Sequence, residues 1–138
     1  MVITFDNPAG APAPVGAYSQ VARLELGGGA ALLVLAGQVA VDDAGNVVAP
    51  GDVGAQAERI FQIIEALLAA HGGGFGDVMH LRAFVTDMGG RAAYAAARRR
   101  AMGEHTPAST LVEVSRLAMP GLAIEVEVTA AVSGPASG

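Results

Sequence analysis

The amino-acid sequence contains no cysteine and no lysine. Without cysteine the chain has no disulfide bond, no thiolate nucleophile and no thiolate metal site. All eight basic residues are arginine, so a Schiff-base lysine and the lysine of a phosphate-binding loop are also excluded. Enzyme mechanisms that depend on any of these groups are therefore not available to this protein.

Charged residues are scarce as well. They make up 15% of the 138 residues, whereas 52% are hydrophobic, which is ample material for the core of one domain. We place that domain at residues 1–132 and interpret residues 133–138, S-G-P-A-S-G, as a flexible tail. A domain with so little surface charge often covers part of its apolar surface in an oligomer, so we expect a homo-oligomer.

The same composition disfavours two classes of partner. The net charge of −5 offers no general attraction to nucleic acid or to an anionic membrane, and Arg98, Arg99 and Arg100 point in three directions if they lie on one helix. No apolar run approaches the roughly 20 residues that cross a bilayer, and the first residues lack the pattern of a secretion signal. We therefore expect a cytoplasmic protein with no nucleic-acid partner and no membrane partner.

The hydrophobic pattern predicts the order ββαβαββ. A-Y-S-Q-V-A-R-L-E-L and A-A-L-L-V-L-A-G-Q-V-A-V are strands joined by the turn G-G-G. The second strand should be buried on both faces, with Gly37 at a bulge or at a point of close approach. Asp52 caps a helix that runs to His71, and a strand follows at D-V-M-H-L-R-A-F-V-T-D, then a second helix at about residues 90–104. Two alternating strands within residues 106–128, joined by Pro-Gly, close the fold as a hairpin.

These elements predict an α+β fold in which two helices cover one face of a single mixed sheet. The other face carries His80, Arg82, Glu125 and Glu127, and we expect it to face solvent or another subunit. Carboxylates on a sheet face need compensating cations. We therefore expect Glu127, together with Glu113, to form salt bridges between strands or between subunits.

No grouping of side chains predicts a metal site or a phosphate site. The three histidines, His71, His80 and His105, do not share a metal-ligand spacing, and the glycine clusters lack a phosphate-binding pattern. No serine lies in the strand-to-helix turn that exposes a catalytic serine. We therefore predict that the protein has no metal site.

Four parts of the sequence resemble a known family. P-V-G-A-Y-S-Q, L-A-G-Q-V, F-V-T-D-M and T-P-A-S-T-L-V-E-V-S-R-L with I-E-V-E-V-T-A occur in the order found in the Rid family, also called the YjgF or L-PSP family, and the similarity covers about residues 5–132. The resemblance implies a chorismate-mutase-like homotrimer with a small-molecule cleft at each subunit boundary. It also implies hydrolysis of enamine and imine intermediates to a keto acid and ammonia, with no metal and no organic cofactor.

Three positions match functional residues of that family. Tyr18 corresponds to the tyrosine of the cleft, Gly37 to the glycine whose backbone meets the ligand, and Glu125 to the glutamate that helps to position water. We take Glu125 as the candidate catalytic residue, because an ionised carboxylate can orient an attacking water or accept its proton. The open alternative is that Glu125 only pairs with Arg82 or with an arginine of another subunit.

Three other positions depart from the family pattern. In the active deaminases an arginine at position 109 binds the substrate carboxylate, and here that residue is Ser109. The usual cysteine is replaced by Leu111 and the usual serine by Ala36. Because a serine hydroxyl has neither the charge nor the fork geometry of arginine, we expect a ligand that is more neutral or more hydrophobic than a 2-imino acid.

Thr110 and Arg82 complete the candidate ligand-binding set. Thr110, like Ser109, can donate a hydrogen bond to a ligand oxygen, and Arg82 would replace the missing cation if it reaches the cleft. Two functions stay open: an enzyme that acts on an imine or enamine, and a binding or regulatory trimer that has lost catalysis. Ribonuclease activity ranks last, because the chain is acidic and has neither a basic stripe nor a visible pair of catalytic histidines.

Overall fold

Seven strands and two α-helices make up the regular structure of residues 1–134, which are the part of the chain that the computed structural model describes. In chain order they are β1 (Ile3–Asp6), β2 (Val21–Gly27), β3 (Ala30–Leu35), β4 (Gln38–Val39), α1 (Val53–Ala69), β5 (Val78–Val85), α2 (Arg91–Met102), β6 (Ala108–Glu113) and β7 (Ile124–Val132). Short 3₁₀ turns, Phe75–Asp77 and Met88–Gly90, precede β5 and α2.

The seven strands form one mixed sheet. Its order is β1-β2-β3-β7-β5-β6, and the short strand β4 also pairs with β7. β5 and β6 run parallel, whereas the other paired strands run antiparallel. The predicted α+β class, with a mixed sheet and two helices on one of its faces, is confirmed.

α1 packs on the sheet because its apolar residues recur at helical spacing. Asp52 is the N-cap of the helix. Its side chain accepts a hydrogen bond from the Ala55 N–H at 3.0 Å and so satisfies a donor that has no partner within the helix. Each fully buried leucine or isoleucine contributes about 1.5–3 kcal/mol relative to an exposed one. The resulting core joins Ile60, Ile64, Leu67 and Leu68 of α1 and Tyr94 and Ala97 of α2 to Leu33, Leu81 and Val126 of the sheet.

The prediction of a closing hairpin is wrong. β5 lies between β6 and β7, and Leu81 of β5 has Ser109 of β6 as its parallel neighbour and Val128 of β7 as its antiparallel neighbour. The reason is that β5, α2 and β6 form a βαβ unit, whose crossover helix places the two strands side by side and parallel. The Pro-Gly turn does form, with the Leu122 N–H donating to the Met119 carbonyl at 3.3 Å, but it lies within the long loop that returns the chain to β7.

Two further expectations about the first strands need correction. β3 is buried on one face only: Leu33 is 0% exposed, whereas the next residue, Val34, is 48% exposed. The helices cover a single face, so the opposite face of this apolar strand stays uncovered in the single chain. β1 was not predicted, and it extends the sheet at the edge of β2, with Phe5 opposite Ala22.

The uncovered face, which we call the open face, carries the polar residues that the sequence places there. Arg82 of β5 lies directly opposite Glu127 of β7, and Phe84 lies opposite Glu125, while His80 shares the alternation of Arg82 along β5. Residues 135–138 of the predicted tail lie outside the described residues, and residues 133 and 134 follow β7 without regular structure. None of the helices within residues 1–134 is both long enough and apolar enough to cross a membrane.

Gln56 is a fully buried polar residue on the apolar stripe of α1. Its side-chain amide nitrogen donates to the carbonyl oxygens of Val48 (3.1 Å), Ala49 (3.2 Å) and Gly121 (2.8 Å). Its side-chain oxygen accepts from the Ala123 N–H at 2.8 Å. One side chain thus attaches two separate loops to the first helix.

We predict that Gln56→Ala lowers the free energy of unfolding by roughly 2–4 kcal/mol, because it leaves several buried backbone groups without partners. The exposed Gln62 of the same helix provides a matched control, and Gln62→Ala should change stability by less than about 0.5 kcal/mol. Urea unfolding followed by circular dichroism measures both. Equal effects of the two substitutions would contradict the role given to Gln56.

Candidate functional site

A pair of buried glutamines builds one wall of the candidate site. The Gln38 side-chain amide donates to the Gln20 side-chain oxygen at 2.7 Å and to the Ala36 carbonyl at 2.9 Å. The Gln20 amide donates in turn to the Pro12 carbonyl at 3.1 Å. These bonds hold the proline-rich segment that precedes β2 against the short irregular stretch between β3 and β4.

A cavity of about 250 Å³ lies between that segment and the sheet. Tyr18 and Gly37, both matched to the family's cleft, line the same cavity. Tyr18 is 46% exposed, and its hydroxyl oxygen accepts a long hydrogen bond from the Val15 N–H at 3.4 Å. The remaining wall is mostly apolar and includes Pro12, Pro14, Val15, Val39, Val41 and Met119, with Asp43 at one side.

Glu125 projects from β7 and lies against the backbone of Gly37. A Cβ atom placed on Gly37 would lie 3.0 Å from the carboxyl carbon of Glu125 and closer still to one carboxylate oxygen. A side chain at position 37 would therefore displace the Glu125 carboxylate from this position, which gives a physical reason for the close approach expected at Gly37. The structure brings Tyr18, Gly37 and Glu125 into one region of the chain.

Burial raises the pKa of the Glu125 carboxyl, and the neighbouring Glu127 carboxylate raises it further. Both effects act in the same direction because each disfavours the negatively charged form. Glu125 forms no ion pair with any residue among those described. Its carboxyl is therefore held with no compensating cation in the single chain, beside a mostly apolar cavity.

Arg82 is paired with Glu127 on the open face. This pair fulfils the expectation of an inter-strand salt bridge for Glu127, and it means that Arg82 does not pair with Glu125 within the chain. The other carboxylate for which we expected a salt bridge, Glu113, instead accepts a hydrogen bond from the Met88 N–H at 2.9 Å. Glu113 therefore caps a short turn, and no ion pair forms at this residue within residues 1–134.

The second group of candidate residues lies elsewhere on the sheet. Ser109, Thr110 and Leu111 belong to β6, which is separated from β7 by β5. Neighbouring strands are about 4.8 Å apart, so this group lies roughly 10 Å beyond Glu125, on the side away from Gly37. Leu111 packs on the edge of the core, whereas Ser109 and Thr110 are exposed.

Ala36 lies beside the first group. It is half-buried, and its N–H donates to the Gln20 carbonyl at 2.9 Å while its own carbonyl accepts from Gln38. The single chain thus presents two separate half-sites. The first contains Tyr18, Ala36, Gly37 and Glu125, and the second contains Ser109, Thr110 and Leu111.

Several residues that shape the site were not singled out from the sequence. Gln20 ends the quoted segment P-V-G-A-Y-S-Q, and Gln38 lies within L-A-G-Q-V. The available signal was that both are polar residues beside an apolar strand. Gln56 interrupts an apolar helical stripe, which is a similar signal. Nothing in the sequence indicates that Met119 lines the cavity, because its position depends on the path of the loop between β6 and β7.

Two of the histidines make structural contacts. His71 lies between Asp6 (3.1 Å) and Arg23 (3.3 Å), and His105 donates to the Val78 carbonyl at 2.8 Å. Within residues 1–134 no group of three or more histidine, aspartate or glutamate side chains is arranged to hold a metal ion.

The fold and the first half-site define a small α+β domain with a mostly apolar cavity beside a half-buried glutamate. The family model described as Endoribonuclease L-PSP matches residues 9–132, and the chain therefore belongs to the L-PSP family, also called the YjgF or Rid family. Protein DfrA of Myxococcus xanthus is 35% identical over 120 residues, which cover 87% of this chain and 88% of that protein.

Two further relatives share most of their length with this chain. The 2-iminobutanoate/2-iminopropanoate deaminase of Salmonella typhimurium is 34% identical over 123 residues, which cover 87% of this chain and 91% of the deaminase. The solved structure of YyfA, a Rid family protein from Yersinia pestis, has a TM-score of 0.84 at 26% identity and covers 95% of this chain and 100% of YyfA. The fold and the family are thus established by sequence and by structure.

We predict that Glu127→Gln lowers the pKa of Glu125. The substitution removes a negative neighbour and also frees Arg82, and both changes stabilise the ionised form of Glu125. NMR titration of the ¹³C-labelled glutamate carboxyl groups measures the shift, with Glu65→Gln, on the exposed side of α1, as the control. An unchanged Glu125 titration in the Glu127→Gln protein would show that the two carboxylates do not interact.

Proposed function

We propose that this protein is a cofactor-independent hydrolase of imine or enamine intermediates and that Glu125 is its catalytic residue. The observation that carries the proposal is the Glu125 carboxyl, held half-buried against Gly37 beside the Tyr18 cavity, with its pKa raised by burial. A raised pKa brings a carboxylate closer to the range in which it exchanges protons with a reacting water. The similarity to a named 2-iminobutanoate/2-iminopropanoate deaminase supports the same reaction class.

The proposed reaction needs only water and a proton-exchanging group. Ionised Glu125 orients a water molecule and accepts its proton as the oxygen forms a bond to the imine carbon. The imine nitrogen is protonated by solvent before this attack, and the protonated carboxyl then gives the accepted proton to the amine nitrogen of the tetrahedral intermediate. The carbon–nitrogen bond breaks and releases ammonia, while the hydroxyl group gives its proton to the Glu125 carboxylate, which passes it to solvent and leaves a carbonyl compound. An enamine substrate would first tautomerise to the imine.

We further propose that the substrate is not one of the usual 2-imino acids. An arginine–carboxylate pair is charge-assisted and two-pronged, and its loss weakens binding by roughly 1.5–3 kcal/mol. Ser109 cannot replace that interaction, and Arg82 is already paired with Glu127. Leu111 and Ala36 make the surroundings more apolar, which favours a neutral organic substituent next to the imine carbon.

The functional unit that we propose is a homotrimer in which the second half-site of one subunit meets the Tyr18 cavity of the next. Two observations support it. The half-sites are too far apart on the sheet to act on one small molecule within a chain, and the strands expose large apolar residues that a neighbour would cover. These residues include Ile3, Phe5, Val34 and Val112.

A non-catalytic trimer that binds a small molecule is the second candidate function. Ser109 favours it, because loss of the cation that binds the substrate carboxylate is a direct route to loss of the ancestral reaction. Such a protein would bind a ligand in the same cavity without turning it over. Catalysis and binding are therefore separated by the assay that follows.

We expect the purified protein to accelerate hydrolysis of imines generated in situ by an amine oxidase from primary aliphatic amines. Loss of semicarbazide-trappable imine is the readout. Glu125→Gln should reduce the rate by roughly 10²- to 10⁴-fold, and the rate of the unmodified protein should fall as the pH drops through the raised pKa of Glu125, because the base must be ionised.

Glu65→Gln is the control for this assay, because Glu65 is exposed on α1 and distant from the open face. Its rate should equal that of the unmodified protein. If no imine is hydrolysed faster than in buffer, the enzymatic proposal fails. If a neutral ligand still binds the cavity in that case, the non-catalytic function is supported instead.

Ser109→Arg should restore preference for imines that carry a carboxylate. We expect the KM for imines made from alanine by an amino-acid oxidase to fall by roughly tenfold or more, since the guanidinium regains a charge-assisted partner. Ser109→Gln has a similar length and no charge, and it should leave the KM unchanged. Equal effects of Arg and Gln would mean that position 109 does not contact the carboxylate.

A further inference from the structure

Arg116 is an arginine that neither the core nor the candidate site explains. Within residues 1–134, four of the arginines form ion pairs, namely Arg23, Arg59, Arg82 and Arg100. Three others, Arg91, Arg98 and Arg99, lie on α2. Arg116 lies in the loop between β6 and β7 and has no acidic partner among the described residues.

Arg116 lines a cavity of about 330 Å³ in the loop between β6 and β7. Residues 115–122 line it together with Thr86, which follows β5. Arg116 and Ser115 are exposed and Thr86 is half-buried. The Thr86 N–H is already bonded to the Ala123 carbonyl at 3.1 Å, so the residue is fixed in place while its hydroxyl makes no hydrogen bond among those described. One arginine, one serine and one threonine therefore line the same concave surface.

We propose that this cavity binds an oxyanion group of a ligand, either a carboxylate or a phosphate. Arginine presents several N–H donors in a plane and binds such groups with two parallel hydrogen bonds, and serine and threonine hydroxyls add donors. The net charge of −5 repels anions from most of the surface. Arg116 lies in a cavity that serine and threonine residues also line, whereas the cavity lined by Arg98 and Arg99, which likewise form no ion pair among the described residues, has no serine or threonine in its wall.

The anion site adjoins the candidate catalytic site. Met119 lines both the Arg116 cavity and the Tyr18 cavity, so the two cavities share part of a wall, and the proposed ligand extends from one to the other past this side chain. This step rests on the proposed function: the substrate carries its reactive carbon near Glu125 and its oxyanion at Arg116, separated by an apolar linker along Met119. The missing arginine at position 109 excludes an oxyanion directly beside the reactive carbon, and Arg116 accommodates one farther away.

Titration calorimetry of the full chain with hexanoate, hexanamide and inorganic phosphate tests the proposal. Hexanamide matches hexanoate in shape and lacks the charge. We expect saturable binding of hexanoate or phosphate, no binding of hexanamide, and a loss of affinity of roughly 10- to 100-fold in Arg116→Gln. Arg116→Lys should retain part of the affinity, because it keeps the charge without the fork.

Arg91→Gln is the matched control, since Arg91 is exposed and likewise forms no ion pair among the described residues, whereas Arg98, Arg99 and Arg100 line a cavity of their own. Its affinity should equal that of the unmodified protein. Binding of hexanoate identifies a carboxylate site, and binding of phosphate alone identifies a phosphate site. The proposal is overturned if neither anion binds saturably, or if Arg91→Gln weakens binding as much as Arg116→Gln does.

This experiment also separates the anion site from the hydrolase proposal. It measures binding without turnover, so Arg116-dependent binding stands even if no imine is hydrolysed. In the opposite case, imine hydrolysis without anion binding removes the Arg116 site alone. A shared failure of both assays would show that neither cavity acts as proposed.

Discussion

The hydrogen bonds of three buried glutamines hold the irregular segments around the candidate site. Gln20 and Gln38 attach the proline-rich segment to the break between β3 and β4, and Gln56 attaches the loop that carries Met119 to α1. An amide group both donates and accepts, so it satisfies N–H and carbonyl groups together without the cost of burying a charge. Loops built this way can lie against a core that would otherwise leave their backbone groups unpaired.

The cavity walls therefore depend on the same core that stabilises the fold. Glu125, in contrast, lowers the stability of the folded chain when its carboxyl is ionised. Below its ordinary pKa of 4.5 the carboxyl is neutral in both the folded and the unfolded chain. As the pH rises through the higher folded-state pKa, the unfolded chain ionises more readily, and stability is lost. A half-buried carboxylate with no cation beside it is consequently costly at neutral pH, which is typical of a residue kept for function rather than for packing.

The local pattern was sufficient for some features of the fold and insufficient for others. The Asp52 cap and the apolar stripe of α1 are decided within a few residues, and so is the alternation of β5 and β7, which puts Arg82 and Glu127 on the open face. The partner of β6 is decided by the crossover through α2, which periodicity does not reveal. The same limit applies to Glu113, whose partner Met88 is 25 residues away, and to the loop contacts of Gln56.

The distribution of charge around the site links the fold to the choice of substrate. In a 2-imino acid the carboxylate is bonded directly to the imine carbon, so a deaminase needs its cation within a few ångströms of the group that delivers water. In the proposed assembly the residue at that position is Ser109, Arg82 is paired with Glu127, and Arg116, which forms no ion pair among the described residues, lies in a cavity that shares Met119 with the Tyr18 cavity. If the cation that binds the substrate is Arg116 instead of an arginine at position 109, Glu125 and Gly37 would still support water addition. The distance between the oxyanion of the substrate and its reactive carbon would then be longer. The spacing between these charged groups, rather than the identity of the catalytic residue, would then determine which imines the protein accepts.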